Sequence, residues 1–158
     1  MTIRRAKDKD VPAVLRLLSQ VLEIHAAIRP DIFISGSTKY SDAELRAMFA
    51  DEEKPVYVAV NDADEVLGYA VCCVRQPPFA STMRPRKSLF IDDLCVDEAC
   101  RGQRIGEELY RFVVEQAKRK GCAAVTLNVW EGNDAAMAFY RKMGMQPKET
   151  QMEYRLDQ

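Results

Sequence analysis

The stretch LCVDEACRGQRIG, residues 94–106, sets the reading of the whole chain. It begins as the end of an apolar run, Ser88 to Val96, that reads as a long strand. It finishes at the start of the clearest helical pattern in the sequence. Ile105, Leu109, Phe112 and Val113 recur on one face, Gln116 is the polar exception, and Gly121 closes the run. Between strand and helix lies a short basic turn. The first backbone N–H groups of a helix have no partner inside it and sit at the positive end of its dipole. Gly102 lets the turn wrap close to a ligand, and Arg101 and Arg104 add full charge beside those N–H groups. The sum suits an anion such as a pyrophosphate. A phosphate loop of the G-x-x-x-x-G-K-S/T type is excluded, because no Lys-Ser/Thr follows the glycine. A dinucleotide G-x-G-x-x-G is excluded by the spacing Gly102-x-x-x-Gly106.

Upstream, Thr2 to Arg5 alternates as a short first strand. Asp10 and Pro12 open a helix with Val11, Val14, Leu15, Leu18 and Leu22 on one face, and the pattern breaks at Arg29-Pro30-Asp31. Ser41 and Glu44 form a capping box ahead of a second, short helix. Strands follow at Val56–Val60 and Val66–Val74, joined by an Asn61–Asp64 turn that predicts a hairpin. Downstream, Ala123 to Val129 reads as a strand. Asn133 or Asp134 caps a helix through Tyr140 to about Met143, closed by Gly144. Met152 to Leu156 reads as a last strand, with another short one near Met145. The order β-α-α-β-β-β-α-β-α-β predicts an α/β fold with a mixed sheet and one β-α-β crossover, right-handed by the general rule.

A chain of 158 residues is expected to be a single domain, 1–158. With 23 Lys plus Arg against 24 Asp plus Glu, bulk nucleic-acid binding is not expected. No apolar run approaching the roughly 20 residues of a membrane span is evident, and MTIRRAKDKD lacks the apolar stretch of a secretory signal. No membrane partner is therefore expected, and the expected compartment is cytoplasmic. The five cysteines include no C-x-x-C, and His25 is the single histidine. That gives no zinc spacing, so no metal is expected and the thiols read as free and packed.

A second motif lies at NVWEGNDAAMAFYRKMGM, residues 128–145. Together the two motifs resemble those of the GNAT N-acetyltransferase superfamily. Residues 96–106 are similar to its acetyl-CoA loop, Q/R-x-x-G-x-G/A, and residues 133–144 to its second CoA-facing helix; the likeness extends over roughly Val56 to Leu156. It implies the acyl-CoA N-acyltransferase fold, a splayed central sheet with helices on both faces. It also implies acetyl-CoA as co-substrate. Backbone N–H groups of Gln103, Arg104, Ile105 and Gly106 would take the pyrophosphate, with Gly102 admitting the approach and Arg101 adding charge. The backbone of Cys95 and Val96, at a bulge, would pair with the pantetheine arm like an added strand. Asn133 would hydrogen-bond the same arm. Arg104 stands where the family has its first loop glycine, which is tolerable if its backbone stays right-handed.

The resemblance makes Tyr140 the general acid. The leaving thiolate has a conjugate acid of pKa about 8.5, and an ordinary phenol near 10 is able to protonate it. The acceptor poses the opposite problem. An alkylamine near 10.4 lies about 3.4 units from neutral at pH 7, worth about 4.6 kcal/mol. Asp92 and Asp93 are the candidate bases. Neighbouring strand residues face opposite ways, so one is expected to reach the acceptor and the other to turn away or pair with Arg86 or Lys87. Glu131 is a weaker candidate. Acceptor contacts are expected from His25, Arg29 and Phe33, in the segment that ends at Tyr40. The reading is acetyl transfer to a primary amine of a small molecule, by direct attack in a ternary complex. A protein N-terminal or lysine acetyltransferase and a non-catalytic CoA-binding module are the alternatives. Homodimers are common in the family, and one is expected here only on that ground.

Overall fold

The hairpin organises the sheet. In a computed structural model that describes residues 1–158, strand β2 (Val56–Val60) turns back into β3 (Val66–Arg75) and pairs with it antiparallel. Asn61 Oδ1 accepts from the backbone N–H groups of Ala63 and Glu65 at 3.0 and 2.9 Å, which closes the turn. Strand β1 (Thr2–Arg5) adds antiparallel to β2, and β4 (Ser88–Val96) antiparallel to β3. Strand β5 (Ala124–Leu127) adds parallel to β4, giving the order β1-β2-β3-β4-β5. Two compact units divide the chain, Met1–Asn128 and Val129–Gln158, and the whole sheet belongs to the first.

All five residues of β2 are buried, because both faces of the sheet are covered. On one face Val56, Val58 and Val60 pack with Val11, Val14, Leu17 and Leu18 of helix α1 (Val11–Ile28) and with Leu45 and Phe49 of helix α2 (Asp42–Phe49). On the other, the Tyr57 ring meets Phe112 of helix α3 (Ile105–Arg119) edge-on, with centroids 5.2 Å apart. The period-2 strand pattern thus meets two period-3.6 helical stripes. Each large apolar side chain buried there contributes about 1.5–3 kcal/mol. The start of α1 is fixed electrostatically: Asp10, only 3% exposed, takes Arg4 Nη1 at 2.7 Å and the Lys7 backbone N–H at 2.8 Å.

Three sequence expectations change. Residues Asp8–Ile28 do reach the length and mean hydropathy (1.4) of a membrane span; here the apolar face of α1 is core, packed on the sheet and α2. Strand β5 is shorter than Ala123–Val129. No strand forms at Met152–Leu156 or near Met145: the second unit holds helix α4 (Asp134–Lys142) and irregular chain. Met152, Tyr154 and Leu156 alternate as a strand would, yet stand 85%, 88% and 89% exposed. Alternation supplies a strand's face but not its hydrogen-bonding partner.

Candidate active site

Strand β4 carries the first half of the site, because its pairing is uneven. Strand β5 accompanies it only from Ser88 to Ile91. From Asp92 to Val96 it pairs with β3 alone, so its other edge is open. The register also slips: Asp93 lies opposite Val71 and Ile91 opposite Cys72, leaving Asp92 as the extra residue of a bulge. The bulge cancels the alternation expected of neighbouring strand residues. Asp92 and Asp93 turn to the same side, and both meet Lys39 Nζ, at 2.7 and 3.2 Å. The partner of the pair is therefore Lys39, not Arg86 or Lys87.

Lys39 belongs to the segment between α1 and α2, where Tyr40 also donates its phenol O–H to Asp92 Oδ2 at 2.9 Å. The Asp93 side chain is 8% exposed. Burial pushes its carboxyl up to about 6; the nearby Lys39 ammonium works against that shift and the Asp92 charge adds to it. For Lys39 burial acts to lower the pKa, but the Asp93 and Asp92 carboxylates outweigh it and hold the ammonium well above its ordinary value. His25 feels the same ammonium. Burial and then Lys39 lower its pKa, and its ring lies 5.3 Å from that of Phe33. Arg29 closes a two-point ion pair with Asp31, Nε–Oδ1 2.9 Å and Nη2–Oδ2 2.7 Å. The segment thus brings His25 and Phe33 together near Lys39, while the Arg29 head ties the segment to itself.

Sequence reasoning overlooked Lys39 and Tyr69. Tyr69 on β3 is fully buried, and its hydroxyl makes no hydrogen bond within the protein. Burial raises its pKa, and after burial the charge of Asp93 is the largest cause, with Asp92 and Tyr40 contributing. The available signal was arithmetic. Two adjacent carboxylates facing an apolar sheet call for a cation, and Lys39 precedes the capping residue that fixes the end of its segment.

The phosphate-type turn follows directly from β4. Asp97 leads a single 3-10 turn, Glu98–Cys100. It accepts from the Ala99 N–H at 3.1 Å and from Arg16 Nη1 of α1 at 2.8 Å, which anchors the strand end. Gly102 takes φ +88° and Arg104 φ +61°. The right-handed backbone under which an arginine would be tolerated without cost is thus not the one Arg104 adopts. The arginine adopts the left-handed conformation that glycine would take, at a cost of about 1–2 kcal/mol. Arg104 is also the N-cap of α3, and its side chain caps no backbone N–H there. Gly68 on β3 accommodates the strand: a Cβ there would sit 2.7 Å from the Cys95 carbonyl oxygen and 3.1 Å from Leu109 of α3. The Cys95 thiol itself faces α1, with Sγ 3.7 Å from the Leu17 carbonyl, and burial pushes it up to about 12 despite Arg101 nearby. That side chain is packing, and the Cys95 carbonyl oxygen faces Gly68 of β3. All five cysteines are free thiols.

In the second unit, Asn133 caps α4, its side-chain oxygen accepting from the Ala136 N–H at 3.3 Å. Tyr140 lies on α4 with its ring 5.1 Å from that of Phe139, nearly perpendicular to it.

Against this geometry, comparison with known proteins is informative. The model of the Acetyltransferase (GNAT) family matches residues 19–145. Thialysine N-epsilon-acetyltransferase of Bos taurus is 28% identical over 148 residues, covering 91% of this chain and 83% of its own. L-methionine sulfoximine/L-methionine sulfone acetyltransferase of Pseudomonas paraeruginosa is 25% identical over 147 residues, covering 92% and 80%. Among solved structures, a mutant of the BH1408 protein from Bacillus halodurans superposes with a TM-score of 0.93 at 36% identity, over 99% of both chains. The chain belongs to the GNAT acetyltransferase family. It is an N-acetyltransferase, and its open mixed sheet is the family's acyl-CoA N-acyltransferase fold.

Proposed function

We propose that this chain transfers an acetyl group from acetyl-CoA to the primary amine of a small, positively charged molecule, by direct attack in a ternary complex. One observation carries the acceptor side: the bulge turns Asp92 and Asp93 to one side of β4, where they hold an ammonium, that of Lys39. The relatives' names supply the class, since thialysine and methionine sulfoximine are both small amines.

The donor side has matching features. The open edge of β4 at Val96 offers backbone groups to a pantetheine arm, while the Cys95 carbonyl is turned to β3. The left-handed Gly102 and Arg104 and the start of α3 offer N–H groups to a pyrophosphate, those of Gln103, Ile105 and Gly106 included, with Arg101 and Arg104 supplying charge. Acetyl-CoA supplies an activated thioester. On the protein's side, a carboxyl at about 6 is suited to accept a proton near neutral pH, which favours Asp93 as the base. A backbone N–H near Val96 is the proposed oxyanion donor. By family likeness, Asn133 binds the cofactor arm and Tyr140 protonates the leaving thiolate. His25 and Phe33 contact the acceptor, with Arg29 shaping their segment. A nucleic acid, a membrane and a metal have no part in this reading.

The test is thiol release from acetyl-CoA with a panel of small amines and lysine-containing peptides. Turnover with small amines and little with peptides is expected. Tyr140→Phe should lower kcat by about 10²–10⁴-fold while sparing acetyl-CoA affinity. Turnover confined to peptides shifts the acceptor to protein lysine. No turnover with either leaves only a CoA-binding role.

A further inference from the structure

We propose that Lys39 is a tethered stand-in for the acceptor: its ammonium occupies the Asp92–Asp93 carboxylates, and an acceptor amine must displace it to be bound. This rests on the reading of that pair as the acceptor side of the site.

The argument begins with charge. Two carboxylates brought to one side by a bulge repel each other, and Asp93 is nearly closed off from water. Such a pair requires a cation. Removing one without replacing it leaves buried negative charge uncompensated, which is strongly unfavourable. Lys39 Nζ meets the need at 2.7 and 3.2 Å. Its chemistry is that of the proposed substrate, a primary ammonium on an alkyl chain. An arriving alkylammonium therefore exchanges for it with no net change of charge, whereas a neutral or anionic molecule does not. Selectivity for cationic acceptors follows from the occupant that must be replaced.

Position supports release. The Lys39 side chain is 42% exposed, so its outer side faces water while the carboxylates lie inward. Its segment lies between two helices that are anchored without it: α1 and α2 share the core through Leu17, Leu18, Leu45 and Phe49. Lifting the lysine does not require either helix to move. A second feature points to a ligand at the same place. The Tyr69 hydroxyl is buried, makes no hydrogen bond within the protein, and senses the charges of Asp93, Asp92 and Tyr40. A buried donor of this kind normally has a partner.

The test uses 1,5-diaminopentane as probe, titrated calorimetrically into the CoA-saturated protein. Lys39→Gln should bind it at least 5-fold more tightly than the wild type, with CoA affinity unchanged. Lys39→Arg, which keeps the charge, should stay within about 2-fold of wild type. A Lys39→Gln affinity equal to or below wild type overturns the proposal and makes Lys39 a permanent support of the carboxylates. If neither protein binds the probe, the ammonium site itself is wrong. In that case CoA binding in the same samples, together with thiol release in the amine panel, shows whether the acetyltransferase reading survives. A second readout needs no variant. In the wild type, saturating diaminopentane should raise chemical acetylation of Lys39 several-fold relative to exposed Lys118. An unchanged Lys39 labelling ratio overturns displacement.

Discussion

Asp93 is a carboxylate that the fold makes reluctant to ionise. Its 8% exposure raises its pKa, and the one cation at hand offsets the shift only in part. The groups that face it are Lys39 and Tyr40 from the α1–α2 segment, Asp92 on its own strand and Tyr69 from β3. The sign of its effect on catalysis follows. An ionised Asp93 is needed to hold an ammonium and to take its proton, so acid conditions switch it off. For an alkylamine acceptor that enters as the ammonium and gives its proton to Asp93, log kcat/KM should rise with a slope of about 1 below pH 6, where the carboxyl ionises. Above pH 6 it should level off until the amine itself titrates. Asp93→Asn should remove the break and leave slope 1 throughout; a break that survives assigns it elsewhere. At this scale the sequence was a poor guide to geometry. It named both aspartates, His25 and Phe33 without placing them. It missed Lys39, because that contact joins residues 53 positions apart.

Elements were more legible. Strand β4 runs from Ser88 to Val96 as its apolar run predicts, and the Ser41–Glu44 capping box starts α2 where expected. These signals are local: a run, a cap, a period. The bulge was not legible. It is a property of register between two strands, and nothing in Leu89 to Cys95 alone reveals the slip at Val71 and Cys72. Gly68 illustrates the same limit. As a glycine inside a strand it weakens the element, and replacing it by alanine would ordinarily gain stability. Here the added Cβ would lie 2.7 Å from a backbone carbonyl of β4 that has no flexible end to swing away. Gly68→Ala should therefore destabilise by about 1–3 kcal/mol, read by urea unfolding. It should weaken acetyl-CoA binding as well, because β4 must shift where its edge is open. A stabilised or neutral variant would show that β4 yields without cost.

For the whole molecule, one set of helices covers each face of the sheet, and the proposed donor site draws on backbone that the sheet leaves unpaired: an open strand edge and a helix start. A ligand that uses both should stabilise the fold by linkage. At acetyl-CoA about 100 times above Kd the gain is about 2.7 kcal/mol, or roughly 5–10 °C in Tm for a chain of this size. No shift at millimolar acetyl-CoA would mean that the left-handed Arg104 does not keep the turn competent for phosphate. The overall fold was readable because alternation and helical stripes report burial directly. The chain end was not, because Met152, Tyr154 and Leu156 carry the pattern of a strand without its partner. The bulge at Asp92 has a consequence for how relatives can diverge. It makes the acceptor site a matter of counting: a single residue gained or lost between Ile91 and Leu94 would turn the two carboxylates apart with net charge and hydropathy almost untouched. Drift in this family should therefore tolerate substitutions along β4 more readily than changes in its length, and a relative with a one-residue gap there should be expected to have changed its acceptor.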